Sequence, residues 1–566
     1  MADRKKTAEE MAKEQKEISI SEFFEKNKHL LGFDNPTKAL LMCAKEAVDN
    51  ALDACQEAGI VPDIVIKVRQ LKDENYRISI QDNGPGVVKE QIPKVFGKLL
   101  YGSKFHTLKQ NRGQQGIGIS ACVLYSQLTT GANTRVWSKT EKDKKTHYYE
   151  LQINTRKNEP EIMKEEMQEP TFEHGTKIEM DVSGRYRKWV EDYLKQTSIA
   201  NPFAKISYTA PDGTRTTFPR SVNELPKTAK EMNPHPYGIE FGIIQRMLVG
   251  TQSRSLVAFL TNEFSSVGNQ TAKEICKVAK LDSNMKPADL GREHIEKVLT
   301  AIQKVKIQRP PTDCLSPIGK ESLEESLKKE FPTAEFVISR SRDPDVYRGF
   351  PFQIEIGIVY GGNLKEETIE LMRIANRVPL LYQAGACATT EAVKDTDWKR
   401  YGLNQQSNAL PVGKMILIVH MASVWVPFVS ESKEAIAPYP EIVKEMKLAI
   451  QDAGRELSRY LSGKRRVGEQ KRRILIFERY STEVAEALSN MTGKEKNDIE
   501  KKLKSFIGER VKINEQGEVE GIEGAKDEGE KEAKMPQSTE KKEKPKKEEQ
   551  QTLKAKKPKE ESEEEE

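Results

Sequence analysis

The period of the apolar positions changes along residues 36 to 82, and the changes mark out elements. From Pro36 to Ala58 Leu41, Ala44, Val48, Ala51 and Cys55 make one stripe at helical spacing, while Glu46, Asn50, Asp53 and Glu57 line another side. Asn35 as N-cap, Pro36 in the first helical position and Gly59 just past the end bracket this helix. Ile64 to Arg69 and Tyr76 to Gln81 then alternate with the period of half-buried strands, and the second runs straight into Asp82-Asn83-Gly84-Pro85-Gly86. A glycine-bearing stretch from Gly97 to Gln115 reads as a mobile loop, ending where an apolar helix, Ile117 to Leu128, begins. Lys177 to Val182 is a further strand, and this α/β unit is expected to close near Ile206.

From Pro234 to Gln308 the pattern turns helical, with no comparable alternation, and predicts a small helical insert. Pro310-Pro311 marks a boundary, after which strands (Phe352 to Tyr360, Lys414 to Val419) alternate with helices as far as Tyr460, as in a second α/β domain. The longest apolar run, Met415 to Val429, contains His420, Ser423 and Pro427 and falls short of the roughly 20 residues of a membrane span, so it reads as buried strand. No aromatic residue follows Phe506, and from Gly524 the chain is mostly Lys and Glu. Such a segment cannot bury enough apolar surface to offset the entropy of folding, and a disordered tail is expected.

Composition narrows the picture only in places. The 566 residues suit roughly three or four domains. Lys plus Arg (92) nearly balance Asp plus Glu (87), a net charge of +5, so contact with nucleic acid would rest on local basic patches. The polar segment Met1 to Lys16 has no apolar signal core, and a cytoplasmic protein is expected. Six cysteines show no Cys-x-x-Cys pair and seven histidines no ligand spacing, so neither disulfides nor structural zinc are expected. Asp343-Pro344-Asp345 has metal-like spacing but reads as a turn.

The chemistry gathers in three segments. Asp82, at a strand end, can accept a hydrogen bond from an exocyclic amine, and Gly84 and Gly86 let backbone approach a flat base. Gly113, Gly116 and Gly118 precede a helix whose free N–H groups and positive dipole end suit phosphate oxygens. Asn50 can complete a Mg²⁺ shell shared with phosphates, and Glu46, one turn earlier, can orient or deprotonate water. Each segment has a bland alternative in a turn, a chance glycine cluster or a solvated helix face.

Taken in order, Glu46-x-x-x-Asn50, Asp82-x-Gly84-x-Gly86 and Gly113-Gln114-Gln115-Gly116-Ile117-Gly118 resemble the three boxes of the GHKL ATPases, and His174-Gly175-Thr176 resembles the fourth. The resemblance implies a layered α/β (Bergerat) sandwich that binds ATP and Mg²⁺, with Thr176 beside the adenine and Tyr101-Gly102-Ser103-Lys104 in a lid over the nucleotide. Within that superfamily, Lys45 to Asp53, Asn376 to Leu381 and Val426 to Glu434 are most similar to the B subunits of DNA topoisomerase VI, over about residues 20 to 480. The implied organisation is an N-terminal arm (1–20), a GHKL ATPase domain (21–228), a helix-two-turns-helix domain (229–309), a ribosomal-protein-like βαβ transducer (310–475), a helical extension (476–523) and the charged tail (524–566). Lys433 would be the transducer's switch lysine, contacting the γ-phosphate. The family closes as an ATP-dependent dimer on double-stranded DNA, in an A2B2 heterotetramer whose A subunit carries the cleaving tyrosine. Trp398-Lys399-Arg400-Tyr401 puts cations between aromatics and is a candidate for phosphate contact with stacking, as an alternative to plain packing. Lys464-Arg465-Arg466 and Lys471-Arg472-Arg473 could face phosphate, the partner or solvent. A chaperone or clamp acting on proteins is the rival class, a gyrase-like enzyme would need a cleavage module after the transducer, and a histidine kinase would need a phosphoacceptor helix before Glu46, where only His29 lies.

Overall fold

Asn35 caps the long helix as its position predicts: its side-chain oxygen accepts the Thr37 N–H at 2.8 Å, and Pro36 follows where no donor is needed. In the computed structural model, which describes residues 7–15, 18–28, 32–33, 35–104, 107–113, 116–430, 433–510, 512–513 and 519–520, this helix is α3 (Pro36–Glu57), preceded by α1 (Ala8–Glu14) and α2 (Ile20–Lys26). The expected tail and the residues Gln114 and Gln115 lie outside the described residues.

Two strands follow, β1 (Asp63–Gln70) and β2 (Asn75–Gln81), then α4 (Ile92–Gly97), α5 (Gly118–Thr130), β3 (Thr134–Lys139), β4 (Thr146–Asn154), β5 (Glu159–Gln168), β6 (Gly175–Ser183), α6 (Trp189–Ala200), β7 (Lys205–Thr209) and β8 (Arg215–Phe218). The strands form an eight-stranded sheet in the order β5-β4-β3-β6-β2-β1-β7-β8, antiparallel except where β1 meets β7. Alternation in β2 buries Tyr76, Ile78 and Ile80 in a core shared with Leu40, Val48 and Leu52 of α3 and Val123 of α5. The domain does not close at Ile206: β8 returns antiparallel to β7 and buries Phe218 opposite Ile206. The glycine-bearing stretch also departs from expectation, because its described residues 107–113 are stitched down. The Met232 N–H donates to the Leu108 carbonyl at 3.0 Å and the Gln110 N–H to the Cys314 carbonyl at 3.1 Å.

The insert consists of α7 (Phe241–Gly250), α8 (Leu256–Glu263), α9 (Asn269–Ala279) and α10 (Arg292–Lys304) around its own core, with Phe259, Ile275 and Ile302 buried. The second α/β domain contains α11 (Lys320–Glu330), β9 (Phe336–Ser341), β10 (Asp345–Tyr347), β11 (Phe350–Tyr360), β12 (Glu367–Thr368), β13 (Glu370–Ala375), β14 (Val378–Pro379), α12 (Ala388–Lys394), β15 (Val412–Gly413), β16 (Met415–Ser423) and the start of α13 (Pro440–Thr492). Its main sheet runs β10-β11-β16-β13-β14, with β9 on the far side of β11 and β12 paired to β15. β16 is apolar apart from the buried His420 and its last residue, Ser423, because both faces are covered: Leu417, Val419 and Met421 share a core with α12 and α13, whereas Ile416 and Ile418 meet α11 and the end of α6. The strand stops at Ser423, six residues before the apolar run ends at Val429, and residues 424–429 lead away from the sheet. Arg342, Asp343 and Pro344 link β9 to β10, and Asp345 is the first residue of β10.

Residues up to Arg465 form one compact unit. A second begins at Arg466 and comprises the rest of α13, α14 (Lys496–Arg510) and the paired β17 (Lys512–Ile513) and β18 (Val519–Glu520). Within it Lys496 pairs with Glu486 at 2.6 Å, and Leu475, Phe477, Tyr480 and Met491 are exposed. No helix among the described residues is long and apolar enough to cross a membrane.

Trp398 cannot stack on a base. It is fully buried, donates its indole N–H to the Val393 carbonyl at 2.8 Å and meets Tyr401 edge-on at 6.1 Å, while the Tyr401 ring packs over Gly454 of α13. Lys399 and Arg400 alone of the four are exposed, Arg400 paired to Asp397 at 2.9 Å. Trp398→Ala is therefore expected to destabilise the second α/β domain by about 3–5 kcal/mol, as emptied aromatic core sites do, read from the denaturant midpoint of that domain's near-ultraviolet signal; an unchanged midpoint would contradict its burial.

Candidate nucleotide site

A cavity of about 550 Å³ opens between α3, the end of β2 and the start of α5, with Glu46, Asn50, Asp82, Gly116, Gly118, Thr176 and Lys433 among its lining residues. It thus brings together, from segments far apart in sequence, most of the residues singled out above, whereas Gly84 and Gly86 do not line it. Asn83 anchors the turn after β2 by accepting the Asp63 N–H at 2.8 Å and donating to the Val61 carbonyl at 3.0 Å. Asp82 Oδ1 accepts the N–H of Gly84 at 2.8 Å and of Thr176 at 3.1 Å, which leaves Oδ2 as the acceptor for a ligand amine. Burial pushes the Asp82 carboxyl up to about 6, against the pull of those two N–H groups. His174 donates from Nδ1 to the Gly84 carbonyl at 2.8 Å, closing the turn from the other side. Gly86 is required on two counts: its φ is +75°, and a Cβ there would lie 2.3 Å from the Lys139 carbonyl oxygen.

At the opposite end, Gly118 starts α5 against Glu46. A Cβ on Gly118 would sit 2.0 Å from Glu46 Oε2, so the glycine leaves the carboxylate its place at the helix N-terminus. Gly113 lines the cavity with open space around it, and Ile117 and Gly118 do so at the first turn.

The helix face carrying Glu46 is only partly solvated: Glu46 is half-covered and Asp53 buried, whereas Asn50 and Glu57 are exposed. Lys45 donates to Glu46 at 3.2 Å and lies 3.7 Å from Asp49, while the Tyr193 hydroxyl donates to Asp49 at 2.8 Å. Burial would raise the Glu46 carboxyl, but Lys45 and then Lys433 outweigh it and hold it below the usual range. Lys45 is correspondingly carried up to about 12 despite burial. Asn50, one turn on, projects its neutral amide into the cavity. Among the described residues no cluster of three or more His, Cys, Asp or Glu could hold a metal alone. A single amide oxygen fits Mg²⁺, which takes most of its shell from phosphate and water.

Lys104 lines the cavity too, but its ammonium is held by Asp53 at 2.7 Å and Glu57 at 3.0 Å, away from a free role on phosphate. Asp53 also binds Arg112, which the motifs did not single out, at 2.5 Å. A cation immediately before Gly113 was the signal. Lys433 arrives from the second domain on a loop closed by the Phe428 to Ile436 bridge and the Val429 N–H to Ala435 carbonyl bond of 2.9 Å. Its φ is +53°, its Nζ donates to the Arg112 carbonyl at 3.5 Å, and burial pulls its ammonium below the usual lysine range. The adjacent Glu434 pairs with Lys38 of α3, fixing the loop to the helix that carries Glu46.

Comparisons with known proteins agree with this geometry. Residues 36–157 match the model of the "Histidine kinase-, DNA gyrase B-, and HSP90-like ATPase" family, and residues 310–473 match "Topoisomerase VI B subunit, transducer". The chain is 49% identical over 520 residues to the B subunit of Type 2 DNA topoisomerase 6 from Methanosarcina barkeri, covering 90% of this chain and 84% of that one. The Archaeoglobus fulgidus protein of the same name is 48% identical over 460 residues (81% and 76%), and that of Thermococcus gammatolerans 38% over 562 (90% and 99%).

A base whose amine is held by Asp82 needs the ionised carboxylate, so binding should lower the Asp82 pKa, and affinity should fall as pH drops through about 6. Calorimetric titration with ATP between pH 5 and 8 reads this, with about tenfold loss per unit below the midpoint as the single-proton limit. Asp82→Asn should bind weakly and without that slope; normal affinity would remove Asp82 from the base pocket.

Proposed function

Because the chain belongs to the family of Type 2 DNA topoisomerase 6 B subunits, we propose that it is the ATP-binding and ATP-hydrolysing subunit of a type IIB DNA topoisomerase. The observation that carries this reading is Lys433, a residue of the second α/β domain lining the cavity that Glu46 and Asn50 floor in the first. A hydrolytic site sampled by a lysine from another domain converts the state of a phosphate into the position of that domain. A chaperone or clamp acting on proteins is not favoured, since the relatives over most of the chain are topoisomerase subunits.

In the proposed site Asp82 accepts from the adenine amine, with Thr176 beside it and Gly84 and Gly86 against the ring. Gly113, Gly116, Ile117 and Gly118 present backbone N–H groups to the phosphates, and Gln114 and Gln115, outside the described residues, are assigned with them by motif. Asn50 would hold Mg²⁺, which when bound neutralises phosphate charge. Glu46 orients the attacking water and takes its proton. Lys45 stays charged and keeps Glu46 ionised, while Lys433 moves toward the γ-phosphate and so reports ATP against ADP. Lys104 we assign to phosphate contact only where its pairs with Asp53 and Glu57 open.

Beyond the site, residues 21–228 are proposed as the ATPase domain, 229–309 as the helix-two-turns-helix domain and 310–475 as the transducer, with 1–20 as an arm, 476–523 as a helical extension and 524–566 as a charged tail. ATP binding closes two copies around double-stranded DNA, in an A2B2 assembly in which the A subunit cuts. The exposed row Phe477, Tyr480, Val484, Leu488 and Met491 at helical spacing supports docking of that partner along α13. Lys399 and Arg400 remain available for phosphate contact, with Trp398 and Tyr401 holding their turn in place.

Three measurements test these assignments. Glu46→Ala should keep ATP affinity within a few-fold and lose roughly 10²-fold or more in turnover, the range of a general base; unchanged turnover removes Glu46 from that role. Lys433→Ala should bind ATP yet fail to relax supercoiled plasmid with the A subunit, and full relaxation would sink the switch assignment. For the wild-type holoenzyme, relaxation that does not require ATP would overturn the function itself.

A further inference from the structure

β13 and β14 are joined by a two-residue turn, Asn376-Arg377, in which both residues lie in the left-handed region, φ 48° and 66°. A two-residue hairpin of this kind needs positive φ at both places. Asparagine tolerates it, but the second place ordinarily goes to glycine, because a longer side chain is strained there. Arg377 stands in that place and is buried, and its bonds reach in every direction. Its N–H donates to His420 Nε2 at 3.0 Å, its carbonyl accepts from Asn201 Nδ2 at 3.1 Å, and its guanidinium donates to Ser316 Oγ and the Pro317 carbonyl at 2.8 Å each. An Nε2 that accepts leaves the proton on His420 Nδ1, which donates to Glu355 at 2.7 Å, and Glu355 also takes the N–H groups of Ile318 and Gly319 at 2.8 Å each.

The other side of this junction is the segment that runs into Gly113. Asn376 Nδ2 donates to the Asn111 carbonyl at 3.0 Å. Gln110 donates from Nε2 to the Ser316 carbonyl at 2.9 Å and accepts the Ser316 N–H at 2.7 Å. The Arg112 guanidinium donates to Asn201 at 2.5 Å, so Asn201 bonds Arg112 with its oxygen and Arg377 with its nitrogen. The entry to the glycine box is therefore bonded to the second domain at Asn111, and to Ser316 in the segment leading into that domain at Gln110.

We propose that the Asn376-Arg377 turn is a latch that transmits the position of the glycine box to the second domain's sheet, a route of coupling separate from Lys433. It rests on the topoisomerase reading for its purpose and on these bonds for its existence. A left-handed arginine persists only while its surroundings hold it, so a shift of residues 108–112 that breaks the Asn111 and Asn201 bonds frees the turn to relax, and the end of β13 with it. Asn376, Arg377 and Gln110 are positioning residues: none lines the nucleotide cavity.

A Gly-Gly pair suits the same turn, so the double variant Asn376→Gly/Arg377→Gly keeps the backbone path while deleting the side-chain bonds. The full chain is compared with and without a non-hydrolysable ATP analogue by hydrogen exchange. In the wild type the analogue should slow exchange by about tenfold or more both at residues 107–113 and at 370–380, the second by coupling. The double variant should keep the first effect and lose the second, as should Gln110→Ala, which breaks the joint from the other side and guards against a folding defect. Lys433→Ala should retain both. Equal slowing in all variants, or none at 370–380 in the wild type, overturns the latch. Failure of the topoisomerase reading looks different: the exchange pattern stands, but wild-type holoenzyme shows no ATP-dependent relaxation.

Discussion

Ions buried beneath the nucleotide cavity must be paired, and the rest of the structure follows from how that is done. Removing a charge from water costs several kcal/mol unless a partner is in place. Lys45, Asp49, Asp53 and Arg112 are all buried or nearly so, with Glu46 and Lys433 partly covered beside them. Within the first domain Lys45 answers Glu46 and Asp49, and Arg112 answers Asp53. The second domain supplies the remainder: Lys433 adds its charge beside Glu46, and Glu434 answers Lys38. The floor of the cavity and the Lys433 loop of the second domain therefore share one set of compensating charges. Arg377 is the extreme case, its guanidinium pushed down to about 9 by burial and then by the nearby Arg112 charge, with Glu355 and Asp53 opposing.

Backbone strain occurs on the same boundary. Lys433, Asn376 and Arg377 all have positive φ, a conformation that costs a non-glycine residue roughly 1–3 kcal/mol. Glycine would avoid that cost but could not aim an ammonium or a guanidinium. That strain is tolerated at Lys433, which bonds the Arg112 carbonyl, and in the Asn376-Arg377 turn, which bonds the Asn111 carbonyl.

The local parts of the site are legible in the sequence because their geometry is local. Glu46 and Asn50 share a helix face by the four-residue rule, Asp82 ends an alternating strand, and Gly118 opens an apolar helix; each follows from spacing alone. Lys433 is reached only through family resemblance, and the bonds of Asn376 to Asn111, Asn201 to Arg377 and Lys433 to Arg112 span 265, 176 and 321 residues, beyond any periodicity. The pairs of Lys104 with Asp53 and Glu57 are not legible in the sequence, because a lysine near a phosphate loop reads the same whether it faces phosphate or carboxylates beneath it. Trp398 misleads for the opposite reason: flanking cations suggest exposure, yet a 3₁₀ turn repeats every three residues, so Trp398 and Tyr401 take the core side while Lys399 and Arg400 face out.

The charge set also explains why the site should be quiet until closed. A general base works best with a pKa near the ambient pH, and Glu46 is held below the usual carboxylate range by two lysines. One of them, Lys45, is fixed on the same helix and stays charged. The other sits on a strained loop and is itself depressed by burial, so the ammonium gains by moving to a γ-phosphate. That movement would take one cation from Glu46 and raise its basicity at the moment the phosphate becomes more electrophilic. In the proposed site the same displacement would serve chemistry and signalling together, tying hydrolysis to domain position through Lys433 alongside the route through Asn376 and Arg377.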